Sequence, residues 1–170
     1  MSKANKGFSL VELIVVVLIM AIIAVALAPQ VVKWIENARI ANDLQTRDNL
    51  KDDCQLAMAD GLAFNKVVNG DYIITVTKDT SGSISFSYDD STGHDITPDP
   101  SDAYWSDLLA VSGCSDFTEF QNKIKIKSTA STESIVLKVK VYDTGRTIAS
   151  LTGIEGNDDI EVVSDVIPET

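Results

Sequence analysis

Phe8-Ser9-Leu10-Val11-Glu12-Leu13-Ile14-Val15-Val16-Val17-Leu18-Ile19-Met20-Ala21-Ile22-Ile23-Ala24-Val25-Ala26-Leu27-Ala28-Pro29 is the stretch on which the reading of this chain turns. From Phe8 to Ala28 it carries one charge, Glu12. Those 21 residues span about 31 Å as an α-helix at roughly 1.5 Å per residue, close to the ~30 Å hydrocarbon core of a bilayer. Lys3 and Lys6 precede the apolar block and no base lies inside it, so the positive-inside rule puts the amino end in the cytoplasm and the bulk of the chain across the membrane.

Glu12 is the residue that a plain membrane anchor does not account for. A charge in a membrane helix costs about 2.5–3.5 kcal/mol, less near an interface, and normally has a partner. No Lys, Arg or His lies between Phe8 and Val32. A cut between Gly7 and Phe8 would supply the missing positive charge as a new α-amine four residues from Glu12, either within one helix or between neighbouring helices, where the pairing would also set their axial register. Two other readings compete. Ala24-Val25-Ala26 and Ala26-Leu27-Ala28 offer the small-residue pattern of a secretory cleavage site, although the second would leave Pro29 directly after the cut. An uncleaved anchor explains the length and leaves Glu12 without a role.

Gly7-Phe8-Ser9-Leu10-Val11-Glu12, running into an apolar helix with Pro29 beyond it, resembles the class III signal of type IV prepilins and pseudopilins. Ala21 stands where that family often has a glycine. The resemblance implies that residues 1–7 are a leader removed by a prepilin peptidase, that Phe8 is then N-methylated, and that Glu12 neutralises the amine of a neighbouring subunit in a filament. It further implies residues 8–28 as membrane and filament-core helix, 29–60 as its amphipathic continuation and 61–170 as an extracytoplasmic β head. The expected partners are further copies of the chain, the peptidase/methyltransferase, the pilus assembly machinery and the membrane. The expected course is from a single-pass precursor in the cytoplasmic membrane to an extracellular pilus. A pilin is the first expectation, since a head of about 110 residues after Asp60 is large for the smallest major pseudopilins. The alternatives are a pseudopilin of a type II secretion or DNA-uptake system, and a membrane-anchored or secreted binding domain that forms no filament.

Composition narrows the rest. The 170 residues hold 14 Lys+Arg against 25 Asp+Glu, a formal charge of −11 that becomes −13 once Lys3 and Lys6 leave. Such a balance argues against nucleic acid, which needs clustered bases on one surface. With His94 the only imidazole and no P-loop, Rossmann fingerprint or His-pair motif, no enzyme can be argued.

Past Pro29, where the missing N–H predicts a bend or local melting, Val31, Trp34, Ile35, Ala38, Ala41 and Leu44 recur at helical spacing. Leu50, Cys54, Ala57 and Met58 continue the stripe to about Asp60, before Gly61. Lys33 and Trp34 suit an interfacial anchor or filament packing. Tyr72–Thr77 and Ile84–Tyr88 read as a hairpin, Ser134–Tyr142 and Thr147–Leu151 as a second one through Asp143-Thr144-Gly145, with further strands at 124–127 and 160–166. Asp102–Val111 and Asp116–Gln121 read as short helical turns. The fold class is therefore α+β, a long N-terminal helix packed on an antiparallel sheet of four to six strands, pilin-like, in an order the sequence leaves open.

Three groups of residues have the chemistry of a site. Cys54 and Cys114 are too few for a four-cysteine zinc site. In an extracytoplasmic head they are free to form a disulfide worth about 4 kcal/mol in the chain-entropy treatment, the other reading being two separate buried thiols. Asp89-Asp90-Ser91-Thr92-Gly93-His94-Asp95 and Asp99-Pro100-Ser101-Asp102 are oxygen-rich but lack EF-hand spacing, so a solvated loop is the better reading. Glu155, Asp158 and Asp159 form a second acidic cluster. The resemblance to major pseudopilins makes this cluster a weak Ca²⁺ candidate, and no other cofactor is expected. Tyr104 and Trp105 are expected to plug the core rather than to face a partner.

Overall fold

In a computed structural model the described residues are 9–59, 72–90, 92–129, 133–142 and 146–154. They form helix α1 (Leu10–Met58), strands β1 (Tyr72–Lys78) and β2 (Ile84–Asp90), helices α2 (Ala103–Ser112) and α3 (Phe117–Lys123), and strands β3 (Ile135–Val141) and β4 (Thr147–Thr152). The chain divides into two compact units, Met1–Ala38 and Arg39–Thr170.

In the second unit, the Arg39–Met58 part of α1 buries Ile40, Asp43, Leu50, Cys54, Ala57 and Met58. Steps of three and four residues keep these side chains on one face. This is not quite the expected stripe: Ala38 and Ala41 are exposed, and the buried line runs through Ile40 and the carboxylate of Asp43 instead. A polar residue cannot be recognised as core from periodicity alone; it needs partners supplied from elsewhere in the chain.

The four strands form one antiparallel sheet in the order β2-β1-β3-β4. Its registers place Tyr88, Ile74, Val139 and Ala149 in one row across the sheet, and Phe86, Val76, Leu137 and Leu151 in the next. Because side chains alternate along a strand, both rows share one face. All eight belong to the hydrophobic core or pack against it, together with Leu50, Cys54, Ala57 and Met58 of α1. Burying a whole aliphatic side chain is worth about 1.5–3 kcal/mol, so these two rows and the helical stripe hold this unit together.

The β1–β2 turn is built by Asp79. Its carboxylate accepts from the Ser83 N–H at 2.8 Å and the Ser81 hydroxyl at 2.7 Å, while Gly82 takes the left-handed φ of 89°. Gly153, after β4, is needed for a different reason. Its φ is +82°, and a Cβ there would lie 2.1 Å from the Ser134 carbonyl oxygen.

The connection from β2 to β3 carries α2 and α3. Asp102 caps α2 by accepting from the Tyr104 N–H, and Asp116 caps α3 by accepting from the Glu119 N–H at 2.8 Å. Gly113 closes α2 in the left-handed conformation, with the Cys114 N–H donating to Leu109 at 2.9 Å. Tyr104 and Trp105 are buried within an aromatic cluster. Tyr72 stacks on Tyr104 at 5.1 Å, and Tyr88 meets Trp105 edge-on at 5.7 Å.

Residues 124–127, expected as a strand, pair with none. Ile124 and Ile126 do point inward and Lys125 and Lys127 outward, as alternation requires, but the backbone is held by side chains. Asp43 accepts from the Lys127 N–H at 2.7 Å, the Ser128 N–H at 2.8 Å and the Ser128 hydroxyl. From the other side, the Lys78 ammonium donates to the carbonyls of Ile126 at 3.0 Å and Ser128 at 2.6 Å. An acid on α1 and a base on β1 thus clasp the same short strap. The expected strand at 160–166 and the Asp143-Thr144-Gly145 turn lie outside the described residues.

Candidate functional site

The amino-terminal segment is the site the sequence singles out, and its geometry starts at Ser9. The Ser9 hydroxyl accepts from the Val11 N–H at 3.3 Å, and the Glu12 carboxylate reaches back to accept from the Ser9 N–H at 2.8 Å. With the Leu13 N–H donating to the Ser9 carbonyl at 3.2 Å, Ser9 is the N-cap and Glu12 the third helical residue. This is a capping box in which Glu12 closes back on the N-cap N–H while the Ser9 hydroxyl takes the second helical N–H rather than the third. Three of the backbone groups at the start of α1 are engaged, and a carboxylate sits where the helix dipole favours one. Glu12 therefore has a hydrogen-bond partner within its own chain, where the sequence suggested only a counter-ion created by cleavage. The signal for it was present: Ser-x-x-Glu directly before an apolar run.

From Leu13 to Ala28, α1 is apolar on every side. Leu10, Val11, Met20, Ile22 and Val25 are between 66% and 76% exposed, and an 18-residue window of the helix has none of its residues buried. A helix that is hydrophobic all round belongs in oil or against other apolar helices. By length and composition this one can cross a membrane. Pro29 lies inside α1, and helical conformation continues through it without a break. Lys33 and Trp34 follow, Trp34 being 61% exposed. Gly7 and Phe8, the expected cleavage site, lie outside the described residues.

The remaining candidates are explained by their own surroundings. Cys54 and Cys114 are both free thiols, so the expected bridge between them is not formed in this structure. Cys54 is fully buried beside the Tyr104 hydroxyl, and desolvation pushes its thiol up to about 12. The Cys114 thiol points to the Ser112 carbonyl at 3.6 Å and is also raised by burial.

In the acidic loop, Asp90 accepts from the Thr92 hydroxyl at 2.6 Å, the Thr92 N–H at 2.8 Å and the His94 N–H at 3.0 Å. These bonds, the Thr92 hydroxyl first, hold its carboxyl below the ordinary range. Asp99 is lowered in the same way, by the Ser101 N–H. Both carboxylates thus shape their own turns. His94 is largely exposed, its Nδ1 beside the Thr92 hydroxyl and 3.8 Å from Asp90. Among the described residues no three His, Cys, Asp or Glu side chains gather as a metal site would require. Glu155, Asp158 and Asp159 lie outside them.

Residues 2–28 match the family model of the prokaryotic N-terminal methylation motif. No solved structure matches the chain. The motif implies processing by a prepilin peptidase, and together with the apolar helix it fits a membrane-anchored precursor. A long N-terminal apolar helix, an antiparallel four-stranded sheet and this methylation motif are together consistent with the type IV pilin or pseudopilin class.

Proposed function

We propose that the chain is the structural subunit of a type IV pilus. It is cut between Gly7 and Phe8, methylated on the Phe8 amine, and polymerised through residues 8–28. The observation that carries this reading is the exposed apolar helix headed by one carboxylate: an oil-soluble surface on every side, with a single charged group held at its start. In a bilayer this surface meets lipid; drawn out of the bilayer, it is covered by the same segments of neighbouring copies. The capping box adds a detail. Holding Glu12 against the Ser9 N–H keeps the carboxylate one residue from the Phe8 nitrogen, so the charge is in place when cleavage creates the amine.

The strongly negative head gives copies no general reason to associate, so the apolar helix supplies the driving force. Head size favours a pilin over a pseudopilin. Mass spectrometry of the mature amino terminus, on protein recovered from sheared surface fibres, tests the proposal. An N-methylated Phe8 is the expected result. A chain that still begins at Met1, or that begins at Leu27, refutes it, and a methylated chain found only in the membrane fraction moves the assignment to a pseudopilin.

A further inference from the structure

Charge is not spread evenly over the head. Residues 80–122 hold eight Asp or Glu and no Lys or Arg, whereas Lys123-Ile124-Lys125-Ile126-Lys127 follows at once with three bases in five positions. The fold sends these to different places. Lys78 pairs with Ile84 at one end of the β1–β2 ladder, and Tyr72 pairs with Asp90 at the other. Seven paired positions separate the two ends by about 20 Å.

At the Lys78 end the clasped strap brings Lys125 and Lys127 to the surface, and Arg39 donates to Thr129 at 3.4 Å beside them. Two hollows open there, of about 560 and 420 Å³, and share Ile126 and Lys127 as a common wall. The second is floored by Ile84, Phe86 and Ile124. Asp79 lines the first hollow with its carboxylate turned onto its own hairpin turn, and Asp43 beneath the strap is buried and spent on the Lys127 and Ser128 N–H groups. At the Asp90 end lie Asp89 and Asp95, joined by a backbone bridge, and Asp99 and Asp102, joined by the Asp102 N–H donating to the Asp99 carbonyl at 2.9 Å, with Asp95 and Asp99 exposed.

We infer that the basic, apolar-floored groove at the Lys78 end docks the acidic Asp95–Asp102 loop of a second copy of this chain. The pairing is between two different surfaces of the same molecule. A heterologous contact of this kind repeats without closing and generates an open helical array rather than a dimer. Complementary ends also answer the difficulty raised by the net charge. The whole molecule repels its copies, while one relative orientation places bases against acids, so the contact selects the arrangement even though the apolar helices drive association. The loop offers Pro98, half-buried between its acids, as apolar matter for the floor of the groove. The inference rests on the filament reading only for the open repeat; the contact itself is tested without it.

The test uses the full chain in detergent micelles at low salt, with ¹⁵N-labelled and unlabelled copies mixed. A zero-length carbodiimide should join Lys125 or Lys127 to Asp95 or Asp99 across the two isotopic species. Sedimentation should show the associated fraction falling about tenfold in K125E/K127E, and equally in D95K/D99K, because each reversal turns two exposed attractions into repulsions. The chain carrying all four reversals should recover association, with cross-links now running from the new bases to the new acids. Unchanged melting temperatures certify that each variant folds. Cross-links elsewhere, reversals without effect, or no recovery in the fourfold variant would overturn the inference. So would pelleting with phosphatidylserine vesicles that K125E/K127E abolishes while association is unaffected, which would give the basic end to a membrane instead. A mature chain without methylated Phe8 would remove the filament reading and leave this contact standing.

Discussion

Asp43→Ala is the substitution that most directly tests how the head is held. Asp43 is completely buried and receives two backbone N–H groups and one hydroxyl from residues 127 and 128. Hydrogen bonds to a charged acceptor contribute about 1.5–3 kcal/mol each, and buried donors left without a partner carry their desolvation cost. The three are not independent, since one strap makes them all, so about 3–5 kcal/mol is expected rather than the sum. At about 3–4 °C per kcal/mol for a unit of this size, the melting temperature of the head should fall by roughly 10–18 °C. Asp43→Asn keeps an acceptor oxygen but offers a donor where a second acceptor is needed, so about half the loss is expected. Asp43→Leu discriminates most sharply: it makes the helical stripe more apolar, yet should melt as low as the alanine variant because the two amides stay unpartnered. The assay is thermal unfolding of the full chain in detergent, followed by the near-ultraviolet signal of the aromatic cluster around Trp105, which reports head packing separately from helix content. Lys78→Met, which withdraws the clasp from the opposite side, should cost less when added to Asp43→Ala than alone. An alanine variant melting within about 2 °C of wild type, or strict additivity of the two substitutions, would refute the clasp.

Two further outcomes follow from the described geometry. Glu12→Val should still be cut after Gly7 but enter filaments poorly, and Ser9→Ala should weaken the cap by about 0.5–2 kcal/mol while leaving the carboxylate; filament yield and amino-terminal mass read both, and normal assembly of Glu12→Val contradicts the assigned role. Hydrogen bonds hold Asp79, Asp90, Asp99 and Glu119 below their ordinary values of 3.8, 3.8, 3.8 and 4.5. The stability they contribute is therefore present above that range and lost as the pH falls through their lowered values, and the head should unfold more readily below about pH 4. Relief of negative repulsion acts the other way, so Asp90→Asn, which should flatten the acid limb of the melting-temperature profile, isolates the hydrogen-bonded contribution; an unchanged limb would count against it.

Much of the fold was legible because it is local. Ile135, Leu137, Val139 and Val141 alternate, and β3 is where that alternation predicts it. The two short helices begin at the aspartates that cap them. What escaped the sequence is what depends on distant partners. The β1–β3 pairing, which sets the strand order, joins residues from Lys78 with Ile135 to Tyr72 with Val141, far apart in the chain, and leaves no mark on either segment. The strap at 124–127 alternates as well as any strand; it differs only in that its amides meet a carboxylate from α1, some eighty-five positions away. Asp43 itself looked like one more polar residue between apolar ones. At the amino terminus the opposite holds: Ser9 and Glu12 bound a four-residue Ser-x-x-Glu pattern that carries the hydrogen bond in the sequence itself.

Extended backbone with spare amides is what a stray chain adds itself to, a hazard for a subunit packed among identical copies as the proposed filament requires. The strap would be a ready template. With the N–H groups of Lys127 and Ser128 and the carbonyls of Ile126 and Ser128 already bound to charged side chains, these positions are closed to recruitment, and crowding can proceed without tangling there.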